Sequence, residues 1–184
     1  MGRRPFVRER ILEAAFDLFA RRGYEAVSTR DIAAQAEVGH ASMYRHFPSK
    51  ETLGREVYTR GLRPLLEEFD ALKKAKASRR ASVRRCVKML CEWYDTRPRA
   101  LALLIFPPHD FCPDELAEEN PRNPRRVLQR LLRCNVDTSA VMWGAMTGPL
   151  QDRYLRQRTG KMAPVASALA RVVVRLVDKE AKGG

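Results

Sequence analysis

The chain has 184 residues, 45% of them hydrophobic, which is enough apolar material for one ordinary domain or two small ones. No run of about 18 apolar residues is present to span a bilayer, and no apolar signal region follows the basic amino terminus, so a membrane or secreted protein is not expected and a cytoplasmic one is. Net charge is +13, which favours a polyanionic partner but says nothing of fold.

The charge is unevenly spread. Through Arg60 there are 11 basic and 8 acidic residues, and the remainder carries 24 basic and 14 acidic, so most of the excess lies in the carboxyl-terminal two thirds. Cys86, Cys91, Cys112 and Cys134 are spaced by five, twenty-one and twenty-two residues. That spacing matches neither a zinc site nor a compact disulfide framework, and free thiols in a reducing compartment are expected. No metal or cofactor is implied.

Taken in order, Gly2-Arg3-Arg4-Pro5 is a basic arm, either a frayed terminus or a reach toward DNA phosphates. From Val7 to Arg22, Val7, Ile11, Ala14, Ala15, Leu18 and Phe19 recur at helical spacing, and Gly23 ends the helix. Ser28-Thr29-Arg30-Asp31 is an S-x-x-D capping signature before Ile32, Ala33 and Ala36. Glu37-Val38-Gly39 then joins a second short helix, His40 to Phe47, in which Met43 and Phe47 point inward and Tyr44 and His46 outward. Two short helices joined by so brief a turn have the form of a helix-turn-helix, whose second helix enters a major groove.

Ile11, Ala14, Ala15, Leu18, Phe19, Gly23, Tyr24, Ser28, Ile32, Ala33, Ala36, Val38, Tyr44, His46, Phe47 and Lys50 hold one fixed register. In this register residues from about Arg10 to Tyr58 resemble the DNA-binding domain of TetR-family transcriptional regulators. Two positions depart from the commoner pattern: Glu37 and Gly39 stand where the turn usually has Gly and Ser, so the recognition helix lacks a hydroxyl cap. The resemblance implies an all-α fold, with a three-helix DNA-binding domain over residues 1–52 and a helical ligand-binding and dimerisation domain over 53–184. By the same resemblance Tyr44, His46, Ser28 and Lys50 contact phosphate, with Thr29 beside them. Base reading falls to Arg30, His40, Ala41 and Ser42, whose donors or methyl group suit base edges. The alternative is that Arg30 only meets phosphate or solvent and Ser42 only caps.

Ser49 caps a following helix whose apolar stripe is Leu53, Val57, Leu62, Leu65, Leu66 and Phe69, with Gly61 and Pro64 as bending points. Lys73, Lys74, Lys76, Arg79, Arg80, Arg84, Arg85 and Lys88 follow with no acidic residue between Asp70 and Glu92. This run is either a solvated face or a surface for flanking DNA or an anionic ligand. Arg97-Pro98 and Pro107-Pro108 bracket a buried apolar helix, and a loop with a short helical piece leads to Pro124. A helix from Pro124 to about Asn135 turns Arg122, Arg125, Arg126, Arg130 and Arg133 outward, as a solvated face or a seat for an acyl-CoA-like anion. Thr138 to Thr159 reads as a long helix interrupted near Gly148-Pro149 and ended by Gly160, and Ala163 to Lys179 as a strongly amphipathic last helix.

By resemblance, the last two helices form a homodimer interface, in keeping with two half-sites read through two-fold symmetry. Met89, Trp93, Phe106, Phe111, Met142, Trp143 and Met146 are expected to line an apolar cavity for a small effector, plain core being the other reading. His109, Asp110 and Cys112 do not complete a metal set or a nucleophile with its base, so no enzyme is expected. The sequence thus points to a dimeric repressor released from a palindromic DNA operator by an apolar or amphipathic small molecule. A thiol redox sensor and a non-specific architectural DNA binder are the alternatives.

Overall fold

The computed structural model describes residues 6–75, 77–108, 113–117 and 119–180. The basic arm at residues 2–5, Lys76, and the segment holding His109, Asp110, Phe111 and Cys112 lie outside these. Among the described residues every regular element is helical: α1 (Val7–Arg22), α2 (Thr29–Gln35), α3 (His40–His46), α4 (Lys50–Lys74), α5 (Arg79–Thr96), α6 (Pro98–Ile105), α7 (Pro124–Leu132), α8 (Val136–Leu155) and α9 (Ala163–Glu180), with one 3-10 turn at Asp114–Leu116.

The amino-terminal elements follow their sequence signals closely. Ser28 caps α2 through a complete capping box: the Asp31 amide donates to the Ser28 hydroxyl oxygen at 3.1 Å, and the Ser28 amide donates to the Asp31 carboxylate at 2.9 Å. The Ser28 hydroxyl also donates to that carboxylate at 2.7 Å, and these bonds, the hydroxyl's first, hold the Asp31 carboxyl below its ordinary pKa. Gly39 caps α3 without a side-chain bond, and Ser49 caps α4 by accepting from the Thr52 amide at 3.0 Å. Met43 and Phe47 are buried, joined there by Ile11, Ile32, Leu53 and Val57.

The α2–α3 turn requires a left-handed residue, and Glu37 supplies it at φ 52°. A side chain in that region costs about 1–2 kcal/mol. Arg10 on α1 offsets part of this by donating to the carbonyls of Ala36 and Glu37, the latter at 2.7 Å. Glu37→Gly is expected to raise stability by about 0.5–1 kcal/mol, the relief of strain exceeding glycine's extra unfolded-state entropy. In a thermal melt that is about 1–4 °C upward, and an unchanged or lowered midpoint refutes the strain assignment.

Helix α4 carries the chain out of the small domain and runs unbroken through Pro64. It passes close to α1 and α6 at Gly61, where an added Cβ would lie 2.6 Å from Leu103 and 2.9 Å from Phe16. Three further helices stand upright on this layer. Helix α8 reaches α1 at its carboxyl end, where the Tyr154 hydroxyl donates to the Ala20 carbonyl at 2.7 Å. Helix α5 meets the start of α9 at the same level, Asp95 accepting from the amides of Met162 and Ala163 at 2.6 and 2.9 Å. At the opposite pole Arg80 of α5 pairs with Asp178 of α9 at 2.9 Å, and Arg79 donates to the carbonyl of Arg133 just after α7. Counting 1.5 Å per residue along α5, α8 and α9 puts this pole about 22–27 Å from the α1 layer.

Two expected boundaries shift. Helix α8 is not interrupted near Gly148-Pro149 but runs continuously to Leu155. Pro149 is exposed, so the carbonyl it leaves without a helical donor can meet water. Buried Met146, Thr147 and Leu150 hold the helix on either side, with the Thr147 hydroxyl donating to the Trp143 carbonyl at 2.9 Å. The stop also comes earlier than Gly160: Gln157 already turns left-handed at φ 48°, while Gly160, at φ 97°, lies five residues past the end of the helix. Similarly, α7 stops at Leu132, because Arg133 turns left-handed at φ 49°.

Candidate DNA interface and its connection to the second domain

Helices α2 and α3 present one exposed surface built from both. The Thr29 hydroxyl hydrogen-bonds His40 Nε2 at 3.0 Å and the Tyr44 hydroxyl at 3.3 Å, and the His40 and Tyr44 rings meet edge to face at 5.0 Å. One threonine at the first turn of α2 therefore fixes two polar side chains of α3 in a single orientation. Both remain reachable, with Tyr44 42% exposed and His40 also exposed. A hydroxyl and an imidazole held this way offer donors to phosphate oxygens or base edges without a further loss of rotamer freedom.

The remaining expected contacts fall in three settings. Arg30, Ala41 and His46 are exposed, and Arg30 has no ion-pair partner among the described residues. Ser42 is half-buried, while Ser28 spends its hydroxyl on the α2 cap. Lys50 is also half-buried: its ammonium lies 4.1 Å from the centroid of the Tyr24 ring and 3.5 Å from the Glu25 carbonyl, so it ties the α1–α2 turn to the start of α4. Arg45, which the residue-by-residue reading of the sequence passed over, is exposed and lies one turn after Ala41 on the same side of α3. The i, i+4 spacing from Ala41 was the available signal.

This surface is wired to the larger domain through α1. Asp17, only 9% exposed, accepts from Arg99 of α6 at 2.9 Å, from Arg21 at 3.1 Å and from the Gln35 carboxamide of α2 at 3.1 Å. One carboxylate thus touches the helix-turn-helix and the second domain at once. Nearby, the Gln151 carboxamide of α8 donates to the Ile105 carbonyl at 2.7 Å, fixing the end of α6.

The second domain contains a cavity of about 480 Å³ between α6, the 3-10 turn, α7 and α8. Leu104, Pro107, Leu116 and Trp143 make it apolar, and Arg125 and Arg126 give it a cationic edge. Buried Asn123 shapes it, donating to the carbonyls of Leu116 and Ala117 and accepting from the Arg125 amide at 2.8 Å. Of the expected lining, Trp143 faces this space. Met89, Trp93, Met142 and Met146 are instead packed in the core, and half-buried Phe106 sets its ring 5.7 Å from Tyr154. The helical spacing of Met and aromatic residues does not separate core from lining, because both lie on the inward face.

Two of the four thiols, Cys86 and Cys91, are held in a different state from that of a sensor. Burial pushes the Cys86 thiol up to about 12, and burial, then Asp95 and Glu92, pushes Cys91 up to about 11. At pH 8 a thiol with the latter value is thiolate in about one molecule per thousand. Iodoacetamide at that pH is expected to leave both residues unmodified in the native protein and to label them in urea, as read by peptide mass. Prompt native labelling of either would show that thiol open to a redox role. No group of three or more His, Cys, Asp or Glu side chains suited to a metal occurs among the described residues, and no helix there is long and apolar enough to cross a membrane.

Residues 11–57 match the family model described as bacterial regulatory proteins, tetR family. The amino-terminal domain is similar to that of the TetR family. Over 43 residues the chain is 56% identical to the HTH-type transcriptional repressor Rv3405c of Mycobacterium tuberculosis, which is 23% of either chain. Over 96 residues the chain is 32% identical to the HTH-type transcriptional repressor KstR2 of Rhodococcus jostii, covering 52% of this chain and 47% of KstR2. The matches thus span from a quarter to a half of these relatives' length. Whole-chain likeness is structural: a TetR-like transcriptional regulator from Rhodococcus sp. RHA1 superposes with a TM-score of 0.67 at 18% identity over all of both chains. FadR of Bacillus subtilis, solved with stearoyl-CoA, gives 0.62 at 14% identity over 90% of this chain and 97% of that one. The TetR-like amino-terminal domain is thus followed by helices of the same overall fold as in these structures.

Proposed function

We propose that the chain is a homodimeric transcriptional repressor whose α3 reads a palindromic DNA operator and whose second domain releases it on binding a small amphipathic molecule. The observation that carries this is the Thr29–His40–Tyr44 cluster, polar, exposed and pre-set across the two helices of a capped helix-turn-helix. Tyr44, His46 and Arg45 address phosphates and set register; Arg30, His40, Ala41 and Ser42 face the bases. Cytoplasmic residence follows from access to DNA.

Two features support the dimer and the effector. Val141 and Leu155 on α8 and Val165 and Val172 on α9 are 61, 69, 42 and 56% exposed in the single chain, and Gly144 and Gly148 leave open space beside them. A second copy across a two-fold axis covers such a face with itself. The cavity, with apolar walls and a guanidinium edge, suits a molecule with an apolar body and an anionic end, and FadR of similar fold was solved with a ligand of that chemistry. The Asp17 contacts with Arg99 and Gln35 offer a path from α6 to the reader.

The test is selection of purified protein on random duplex DNA, with the enriched site then bound by variants. A palindrome is expected. Tyr44→Phe removes the phenol donor and is expected to weaken binding several-fold on every sequence, whereas Arg30→Ala relaxes preference at particular base pairs, at about 1–3 kcal/mol each. Equal effects of both substitutions on all sequences would falsify this division of roles. Absence of an enriched site would leave the architectural DNA binder as the better reading.

A further inference from the structure

The basic run that follows α4 is not absorbed by the operator reader, and its position decides what it can do. Lys74 ends α4, Arg79, Arg80, Arg84 and Arg85 open α5, Arg133 follows α7, and Arg175 lies one turn before Asp178 on α9. The bonds Arg80–Asp178 and Arg79–Arg133 carbonyl gather these ends into one pole. The pole stands about 22–27 Å, along α5, α8 and α9, from the α1 layer on which α2 and α3 pack. A duplex lying along α3 therefore has the whole second domain between it and these arginines. The reading of this run as a clamp for DNA flanking the operator does not survive that separation.

The charge here is poorly compensated. Arg84, Arg85, Arg133 and Arg175 are exposed and make no ion pair among the described residues; Asp178 neutralises Arg80 alone, and Asp137 at the start of α8 is one further carboxylate against the four. Unpaired guanidiniums gathered at one end of the molecule repel one another, which an anionic partner relieves. The chemistry of the partner follows from what else is exposed. Among the described residues the large exposed aromatics, Phe6 and Tyr44, belong to the start of α1 and to α3, and the exposed apolar side chain near the pole is aliphatic, Val136. Single-stranded nucleic acid is held by stacking bases on aromatic side chains, which the described residues of this surface do not offer. Forked guanidiniums on rigid helices suit the regular phosphates of a duplex.

We propose that this pole is a second, sequence-independent site for double-stranded DNA, so that a chain seated on its operator holds another duplex at its far end. The operator half of that statement rests on the reading of α3 given above; the polar site does not. Its consequence is bridging of two DNA segments by one regulator.

The test uses the full chain. Operator duplex is immobilised and saturated with protein, and a fluorescent duplex of unrelated sequence is added. Capture of the second duplex is expected, and with about four phosphates met per pole its affinity falls roughly a hundredfold between about 50 and 200 mM salt. The triple variant Arg84→Glu, Arg85→Glu, Arg175→Glu is expected to keep operator affinity and lose capture at least tenfold, and the corresponding triple lysine variant to retain it. Failure of the native protein to capture the second duplex, or capture undiminished in the triple glutamate variant, overturns the proposal. If selection yields no operator, the immobilised duplex is replaced by the native protein itself. Duplex binding that the triple glutamate variant loses then upholds the polar site while the operator reading fails. An acidic protein or a single strand that competes better than duplex would also overturn it.

Discussion

A chain carrying Val141→Asp and Val172→Asp is expected to be monomeric in sedimentation and to bind its operator about 10²–10⁴-fold more weakly, with its affinity for an isolated half-site unchanged. Both valines are more than half exposed in the single chain, so neither substitution removes a core contact and helix content by circular dichroism should stay at the native level. In a two-fold interface each new carboxylate occurs twice, and burying four against an apolar face costs several kcal/mol, of which Arg175, one turn on from position 172, offsets only the pair on α9. The loss at the operator is a loss of linkage: two half-site contacts made as one event become two separate ones. A doubly substituted chain that still sediments as a dimer would show that α8 and α9 bury their exposed valines elsewhere. A monomer with undiminished operator affinity would show that one α3 is sufficient.

The sequence was most legible where one residue type has one physical use. Ser28 and Asp31, three apart before an apolar run, can hardly do other than cap, and they do. The turn was legible too, down to its oddity: Glu37 stands where a glycine is usual and pays in backbone strain at φ 52°. What stayed hidden depends on how helices cross. Thr29, His40 and Tyr44 were each expected at the DNA surface, but their mutual bonds arise only from the angle between α2 and α3, which no spacing encodes. The cavity was hidden for a related reason. Its walls come from prolines and from Leu116 in an irregular stretch, where periodicity is silent, while the regularly spaced Met89, Met142 and Met146 went to the core. Pro149 misled because a proline in a helix is read as a break, yet at an exposed position with packed neighbours the lost bond costs little that water does not restore.

The second large effect is expected at Gly61. Replacing it by leucine sets a side chain where even a Cβ would lie 2.6 Å from a methyl of Leu103 and 2.9 Å from the ring of Phe16. Overpacking of this kind costs about 1–3 kcal/mol or more, of which the better helix propensity returns somewhat less than 1. Leu103 is buried, so it cannot swing into solvent, and half-buried Phe16 yields only by lifting from α1. The cheaper response is for α6 to move away from α4. Leu103→Ala by itself is expected to cost about 2–5 kcal/mol through the cavity it leaves, but in the double variant the new leucine fills that space. The combined loss should then fall short of the sum of the two by about 0.5–3 kcal/mol, measured by denaturant unfolding. Additive losses would mean that the two residues do not share the volume. The same contact bears on control, since α6 carries Arg99, which grips Asp17, and α4 begins at the reader. Displacing α6 in Gly61→Leu is therefore expected to lower operator affinity at least tenfold in protein still folded at the assay temperature, with recovery in the double variant. If the variant is destabilised while its operator affinity is unchanged, the α4–α6 contact serves packing alone, and the signal from the cavity reaches α3 by another route.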